Sequence, residues 1–357
     1  MSIIKIIKQK LTKSINKTPA NYLLNSDWVK ELELGLNIYE GDSVALCHKD
    51  WKGVRSSTIE LFSNVILINE AYDNLSINRV ANLIINSKIR QFILSGFPDG
   101  WSEIIKIVKS QKSQIVFKVL WHGSIAQHYE EYSTKVFLEI LNLSKLGLIS
   151  KIGFVKKSTF ELYDFLGYDC CFVMNHVNIK TSFTRESTDL NMIKVGIFSA
   201  DVTLRKNTYT NIASVCYLPN ASLTICPSNE HLNQVVNHFN LSVKIFQESM
   251  PREEVIKLMS KLDVVLYVTF SECAPMIPLE SMSVGTICLM GANNHYYEKY
   301  PILDKYLVVK EVDNPKLIAN MILDALENRE IIFEDYKKFY IENSISSKKS
   351  VQDFLKN

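Results

Sequence analysis

"VTFSECAPMIPLESMSVGTICLMG" (residues 268–291) reads as the end of a buried strand, a polar elbow, a short helix and a second buried strand. The strand run "DVVLYVTF" (263–270) delivers its carboxyl end to Ser271 and Glu272. Pro275 suits the first helical turn, because its missing N–H would be unpaired there anyway. An elbow at the carboxyl end of a parallel strand is where doubly wound sheets take ligands. The free amides of Ala274, Met276 and Ile277 would then point out of the helix start. They form a local positive site for a phosphate or diphosphate, worth ~0.3 to 2 kcal/mol from the dipole alone. Glu280, one to two turns into the helix, is placed to accept hydrogen bonds from ligand hydroxyls.

Outward from the elbow, the chain alternates apolar runs with helix-length segments. The first series is "SVALCH" (43–48), "NVILIN" (64–69), "QFILSG" (91–96), "IVFKVLW" (115–121), "IGFVKK" (152–157) and "CCFVMN" (170–175). The second is "IKVGIFSA" (193–200), "ASLTICP" (221–227), "SVKIFQ" (242–247), "DVVLYVTF", "TICLMG" (286–291) and "KYLVVK" (305–310). Continuous Val/Ile/Leu/Phe strands separated by helices predict parallel sheets covered on both faces. The fold class is therefore α/β, with two doubly wound Rossmann-like domains facing a cleft. The polar, aperiodic stretch "NHVNIKTSFTREST" (175–188) fits the linker between them. The expected division is 1–178 (with helices in 1–42), 179–330 as the nucleotide-binding half, and 331–357 as a terminal helix pair packing back on the first domain.

Bulk composition excludes several classes. The chain has 357 residues, 47% of them hydrophobic, and a formal net charge of only +2. That balance argues against a nucleic-acid partner, which calls for a basic excess on one element. Seven cysteines without a C-x-x-C pair suit reduced, packed thiols and a cytoplasmic protein better than a disulfide frame. No His/Cys/Asp cluster shows metal-ligand spacing, so no metal and no cofactor are expected. In "MSIIKIIKQKLTKSINK" (1–17), Ile3, Ile4, Ile7 and Leu11 share a helical face with Lys8, Lys10, Lys13 and Lys17 mostly off it. It reads either as a peripheral anchor on an anionic membrane or as a packing helix with a solvated basic side.

The E-x7-E spacing of Glu272 and Glu280 recurs at 131/139 and 334/342, but only the middle pair straddles a strand-to-helix switch. In that context "SECAPMIPLESMSVGTICLMG" resembles the E-x7-E segment of retaining GT-B glycosyltransferases, above all family 4. Glu272, Glu280, Ser283 and Gly285 fall into step with that pattern. "VMNHVN" (173–178) resembles the family's interdomain segment, and "KVGIFSA" (194–200) its first strand of the second domain. The resemblance spans about residues 115 to 330; residues 1–110 match it in architecture only.

What the resemblance implies is transfer of a sugar from a nucleotide-diphosphate sugar to a saccharide or lipid-linked acceptor, with retention and without metal. Glu272 would lie at the transferred sugar and Glu280 at the ribose. The family draws an arginine and a lysine from the loop after the second domain's first strand. Here that loop is "SADVTLRKNTYTNIAS", where Arg205 and Lys206 are the candidates for the diphosphate. The family's arginine would fall near Ile197, a departure that leaves the division of labour between the two cations open. His122, just beyond the strand in "VLWHGSIAQHYEEYS" (119–133), resembles the family's sugar-side histidine. Lys49, Lys52 and Arg55 in "HKDWKGVRSSTIELF" either face a phosphate-bearing or acidic acceptor or form an exposed basic loop, and "SGFPDGW" (95–101) marks another loop on the same edge. The N-terminal basic segment tilts the reading toward surface polysaccharide assembly in bacteria. Two alternatives share the architecture: a sugar-nucleotide 2-epimerase and a non-catalytic partner subunit.

Overall fold

A computed structural model describes residues 27–39, 42–179 and 192–356. The basic segment read at residues 3–17, and residues 180–188 of the expected linker, lie outside the described residues.

Among the described residues, twelve strands form two six-stranded sheets, parallel throughout. The first half runs α1 (Asp27–Ile38), β1 (Ser43–His48), α2 (Lys52–Leu61), β2 (Val65–Ile68), α3 (Asn74–Asn86), β3 (Gln91–Ser95), α4 (Trp101–Gln111), β4 (Val116–Trp121), α5 (Glu131–Lys145), β5 (Lys151–Phe154), α6 (Lys157–Phe165) and β6 (Cys170–Phe172). Its strand order is β2-β1-β3-β4-β5-β6. The second half runs β7 (Ile193–Phe198), α7 (Thr208–Val215), β8 (Ala221–Cys226), α8 (Glu230–His238), β9 (Ser242–Ile245), α9 (Arg252–Met259), β10 (Val264–Tyr267), α10 (Met276–Ser283), β11 (Ile287–Gly291), α11 (Pro301–Leu307), β12 (Val308–Val309), α12 (Pro315–Glu327) and α13 (Arg329–Leu355). Its order is β12-β11-β10-β7-β8-β9. Each order reverses once, between β1 and β3 in the first sheet and between β7 and β10 in the second. At such a reversal the flanking loops diverge and leave a crevice at the carboxyl ends of the strands.

The apolar runs explain the sheets. Strands β3, β10 and β11 are buried at every position, as expected where helices cover both faces. Helix starts follow local chemistry: Asp73 accepts the amide of Ser76 at 2.8 Å to cap α3, and Pro301 and Pro315 open α11 and α12. Pro301 also explains a departure from the sequence pattern. Its helix continues through Leu307, so only Val308–Val309 of "KYLVVK" pairs as strand.

The expected terminal helix pair is a single 27-residue helix, α13. No glycine or proline interrupts it, and its polar middle is used rather than solvated. Asn343 Nδ2 donates to the Asn175 carbonyl at 3.0 Å, and Ser347 Oγ to that of Met174 at 2.7 Å. At its far end α13 reaches the first sheet. The fully buried ammonium of Lys118 donates to the carbonyls of Phe354, Leu355 and Lys356 at 2.9, 3.0 and 2.8 Å. These are carbonyls a helix terminus leaves without partners, and the positive charge complements the helix dipole. Lys118→Met should lower stability by about 2–4 kcal/mol, since charged hydrogen bonds are lost and buried carbonyls are left unpaired. A chemical-denaturation midpoint unchanged from wild type would show that another group holds the helix end. No helix among the described residues is long and apolar enough to cross a membrane.

Candidate active site

The second sheet's reversal point sets the site. Strands β7 and β10 are neighbours, with Ile197 opposite Leu266, and their carboxyl ends open side by side. From β7 the chain enters a short 3-10 turn, Leu204–Lys206, and from β10 it enters the elbow at Ser271 and Glu272. Phe270 N donates to the Arg205 carbonyl at 3.0 Å, which ties the two exits together. Glu272 Oε1 thereby accepts from both Lys206 Nζ (2.7 Å) and Arg205 Nη1 (3.2 Å). Lys206 also donates to the Tyr267 hydroxyl at 2.9 Å. Burial, then the adjacent Glu272, holds that phenol well above its ordinary pKa, so it stays neutral. Arg205 and Lys206 are thus not a solvated pair at a helix start: both are drawn into the crevice by one carboxylate. Ile197 is a buried strand residue, and the guanidinium of this site comes from Arg205.

The elbow is held by its carbonyls. Lys156 Nζ donates to the Glu272 carbonyl at 2.7 Å and also to that of Asn293. Asn175 Nδ2 donates to Ala274 at 2.8 Å, and the Tyr296 hydroxyl to Pro275 at 3.1 Å. The amides of Cys273, Ala274, Met276 and Ile277 donate to no side chain and no loop carbonyl among the described residues. Pro275 serves as N-cap, so α10 starts at Met276, one residue beyond the expected start. The helix is short and buried on most sides, which fixes the direction of its N-terminus. Cys273 answers its place in the motif as a weak donor. Burial raises its pKa to about 12, so it stays a thiol and bonds Gln127 Oε1 of the first half at 3.3 Å.

Glu280 lies eight residues on and is buried. It does not stand open to solvent. Arg252 Nε, at the start of α9, bonds Glu280 Oε1 at 2.6 Å, while its Nη2 bonds Glu60 Oε1 on α2 at 2.9 Å. Glu60 Oε2 in turn accepts Asn178 Nδ2 at 2.7 Å. One guanidinium thus joins a carboxylate from each half, near the segment that links them. Together with Lys156 and Asn175, this packs the first half over the elbow, and Glu272, Cys273 and Ala274 are all less than 9% exposed. The cleft is closed here. A cavity of about 290 Å³ lined by Lys156, Asn293 and His295 adjoins the elbow.

His122 sits at the end of β4, on the cleft side of the first sheet. Its Nε2 lies 2.8 Å from Ser95 Oγ, Ser95 Oγ lies 2.6 Å from Thr58 Oγ1, and Thr58 Oγ1 lies 2.7 Å from the Val54 carbonyl. A carbonyl only accepts, so the Thr58 proton points to Val54. Ser95 must then donate to Thr58, and His122 Nε2–H to Ser95. The chain of donors fixes the tautomer and leaves Nδ1 as an acceptor. Burial lowers the His122 pKa to about 3. The ring is therefore neutral above about pH 4, and it should contribute no step to the pH dependence of turnover between pH 5 and 8. A step in that range that disappears in His122→Asn would show a protonating imidazole instead.

The structure brings Arg205, Lys206 and Glu272 into one cluster with Ala274, Met276 and Ile277 beside it, and buries Glu280 under Arg252. His122 reaches the same cleft from the first half, where the neighbouring Ser124 Oγ lies 3.4 Å from Ser271 Oγ. Sequence reasoning missed Arg252, Glu60, Lys156, Asn175 and Tyr267. Asn175 lay within the quoted "VMNHVN", whereas nothing in the spacing of Arg252 or Glu60 connects them to Glu280. Lys52 and Arg55 both have partners: exposed Lys52 Nζ bonds Ser249 of the second half, and half-buried Arg55 bonds the Lys49 carbonyl. Among the described residues no group of three His, Cys, Asp or Glu could hold a metal ion.

Residues 201–344 match the family described as Glycosyl transferases group 1. No curated protein matches the sequence. Among solved structures, HepE of Anabaena with UDP-glucose superposes with a TM-score of 0.66 at 12% identity, covering 88% of this chain and 99% of that one. Sucrose-phosphate synthase of Thermosynechococcus elongatus gives 0.59 at 12%, covering 88% and 95%. An α,α-trehalose-phosphate synthase (UDP-forming) of Burkholderia vietnamiensis gives 0.55 at 8%, covering 80% and 78%. At these identities the likeness is one of fold, and it is the GT-B fold.

Proposed function

We propose that this chain, which carries a glycosyltransferase group 1 domain over residues 201–344, moves a sugar from a nucleotide-diphosphate sugar to a saccharide or lipid-linked acceptor with retention of configuration. The observation that carries the reading is the convergence of Arg205, Lys206 and Glu272 across the β7/β10 reversal, beside the amides leading into α10 that bond no side chain or loop carbonyl among the described residues. Two cations and a helix N-terminus are what a departing diphosphate needs, because negative charge grows on it as the glycosidic bond breaks. In the structure Glu272 bonds both cations. The diphosphate takes its place, and Glu272 is released toward the transferred sugar. Glu280 exchanges part of its bond to Arg252 for the ribose hydroxyls. His122 Nδ1 accepts from a hydroxyl of the sugar across the cleft. The leaving phosphate takes the acceptor proton, so neutralisation rests on protein cations and needs neither a metal nor a cofactor. That HepE is solved with UDP and UDP-glucose supports a uridine nucleotide as the first donor to try.

Thermal-shift titration with UDP-, GDP- and ADP-sugars tests the reading. One of them should stabilise the protein, and Glu280→Ala should weaken that binding by about 1.5–3 kcal/mol through loss of charge-assisted hydrogen bonds. Unchanged affinity in folded Glu280→Ala would remove this residue from the donor site. Incubating donor without acceptor separates transfer from epimerisation, since only an epimerase returns an isomeric nucleotide sugar. A lipid-linked acceptor in surface polysaccharide assembly, with membrane contact through residues 3–17, belongs to the same proposal and would appear as vesicle binding lost on removing those residues.

A further inference from the structure

Lys156 is rooted on the first sheet and ends on the second. It lies between β5 and α6, and its main chain is held on both sides: Val155 N donates to the Trp121 carbonyl at 3.3 Å, and Phe160 N to the Lys156 carbonyl at 3.0 Å. From there the half-buried side chain crosses to the second half, where Nζ donates to the carbonyl of Glu272 at 2.7 Å and to that of Asn293. These acceptors belong to the loops after β10 and β11. The second half fixes those loops to each other by itself. Asn293 Nδ2 donates to the Thr269 carbonyl at 2.6 Å and to Thr269 Oγ1 at 3.1 Å, and a side chain at Gly291 would strike the Thr269 carbonyl. Lys156 thus fills a notch of two fixed carbonyls, and its ammonium pairs with no carboxylate among the described residues.

A peptide group is planar, and in the trans form its N–H points opposite its C=O. The cis bond among the described residues is Cys226–Pro227, so the Glu272–Cys273 peptide is trans. Holding the Glu272 carbonyl therefore holds the Cys273 N–H on the opposite side of the elbow. Sheet order fixes which side that is, because β10 lies between β11 and β7. Lys156, bonded also to Asn293, takes the carbonyl on the β11 side. The Cys273 amide then faces the exit of β7, where Arg205 and Lys206 meet Glu272 Oε1. It donates to no side chain or loop carbonyl among the described residues. The other bond from the first half to an elbow carbonyl works differently. Asn175 Nδ2 holds the carbonyl of Ala274, but the next residue is Pro275, which has no N–H to aim.

We propose that Lys156 is a positioning residue for the donor: its hold on the Glu272 carbonyl aims the Cys273 amide at a hydroxyl of the transferred sugar, and does so only while the first half is seated on the elbow. The sugar is the target because this amide shares its peptide group with Glu272, the residue read as lying at the transferred sugar, whereas Met276 and Ile277 open α10 beside the diphosphate. The second half grips the nucleotide by itself, and grips the sugar in a form that the first half sets. The inference rests on the transferase reading above and deepens it.

Calorimetric titration of the full chain with UDP-glucose and with UDP tests it, alongside the pairs GDP-mannose and GDP, and ADP-glucose and ADP. For the pair that wild type binds, Lys156→Met should weaken the nucleotide sugar about threefold to tenfold, the range of one hydrogen bond, and leave the sugar-free nucleotide within about twofold. Lys156→Arg, which can bond both carbonyls, should restore the nucleotide sugar. Asn175→Ala removes the other bond from the first half to an elbow carbonyl and frees no amide, so it should move both ligands by the same factor. If Lys156→Met does not fold, Lys156→Gln takes its place with the same expectation. Equal weakening of both ligands in the lysine variant, undiminished nucleotide-sugar binding there, or a loss confined to the nucleotide sugar in Asn175→Ala overturns the proposal and leaves Lys156 as a strut between the halves. Those outcomes leave the transferase reading standing, whereas wild type that binds none of the pairs sinks that reading and this inference with it.

Discussion

Glu272→Gln should fold, bind nucleotide at least as tightly as wild type, and turn over 10²- to 10³-fold more slowly. The side chain keeps its shape but loses its charge. Lys206 and Arg205 then have no buried counterion, and a diphosphate no longer competes with a carboxylate for them. Affinity for the nucleotide moiety therefore holds or rises. The rate falls because a charged group at the reacting sugar is gone, an effect of the size seen when one preorganised electrostatic group is removed, about 2.7–4 kcal/mol. Single-turnover rates and calorimetric nucleotide titrations separate the two quantities. A parallel fall in affinity and rate would mean that Glu272 grips the donor ground state and does not alternate between cations and sugar. Glu272→Ala is less informative, because removing one partner of a buried ion pair can itself cost about 3–5 kcal/mol of stability.

Arg252→Ala should produce a large loss of stability. Arg252 stands between Glu60 and Glu280, whose side chains are 5% and 4% exposed. Without it two buried carboxylates lose the cation they share, and about 3–5 kcal/mol should be lost. Adding Glu60→Gln and Glu280→Gln to Arg252→Ala removes both stranded charges and should restore most of it. Residues in one network are strongly non-additive. Denaturation midpoints of the single, double and triple variants give the answer directly. If the triple variant is as unstable as Arg252→Ala, the loss comes from packing and the charges are incidental.

The fold was legible because its information is local. Each of the twelve apolar runs became a strand, since a strand buried on both faces has to be apolar along its length. The elbow was legible for a related reason: Ser271, Glu272 and Pro275 occupy one short turn whose geometry follows from the strand before it and the helix after it. Arg205 and Lys206 were found only through the resemblance, and their burial was not foreseen, because it depends on β7 and β10 being neighbours although some 65 residues apart in sequence. The Arg252 bridge was illegible altogether. It joins residues 60, 252 and 280 from three elements and two sheets, and no periodicity records such a meeting. The continuity of α13 was misread because its polar middle looks solvated until Asn343 and Ser347 are seen bonding the chain at 174–175.

That last contact limits how the molecule can open. The chain leaves the first sheet beside Asn175 and comes back alongside it through α13, whose 27 residues span about 40 Å. Two passages lashed together at one edge would act as a hinge pin, and the Arg252–Glu60 bridge lies beside that pin, since Glu60 also holds Asn178. A parting of the two halves about that pin would break the Lys52–Ser249 contact at the opposite end of α2 while the Asn343 tie held.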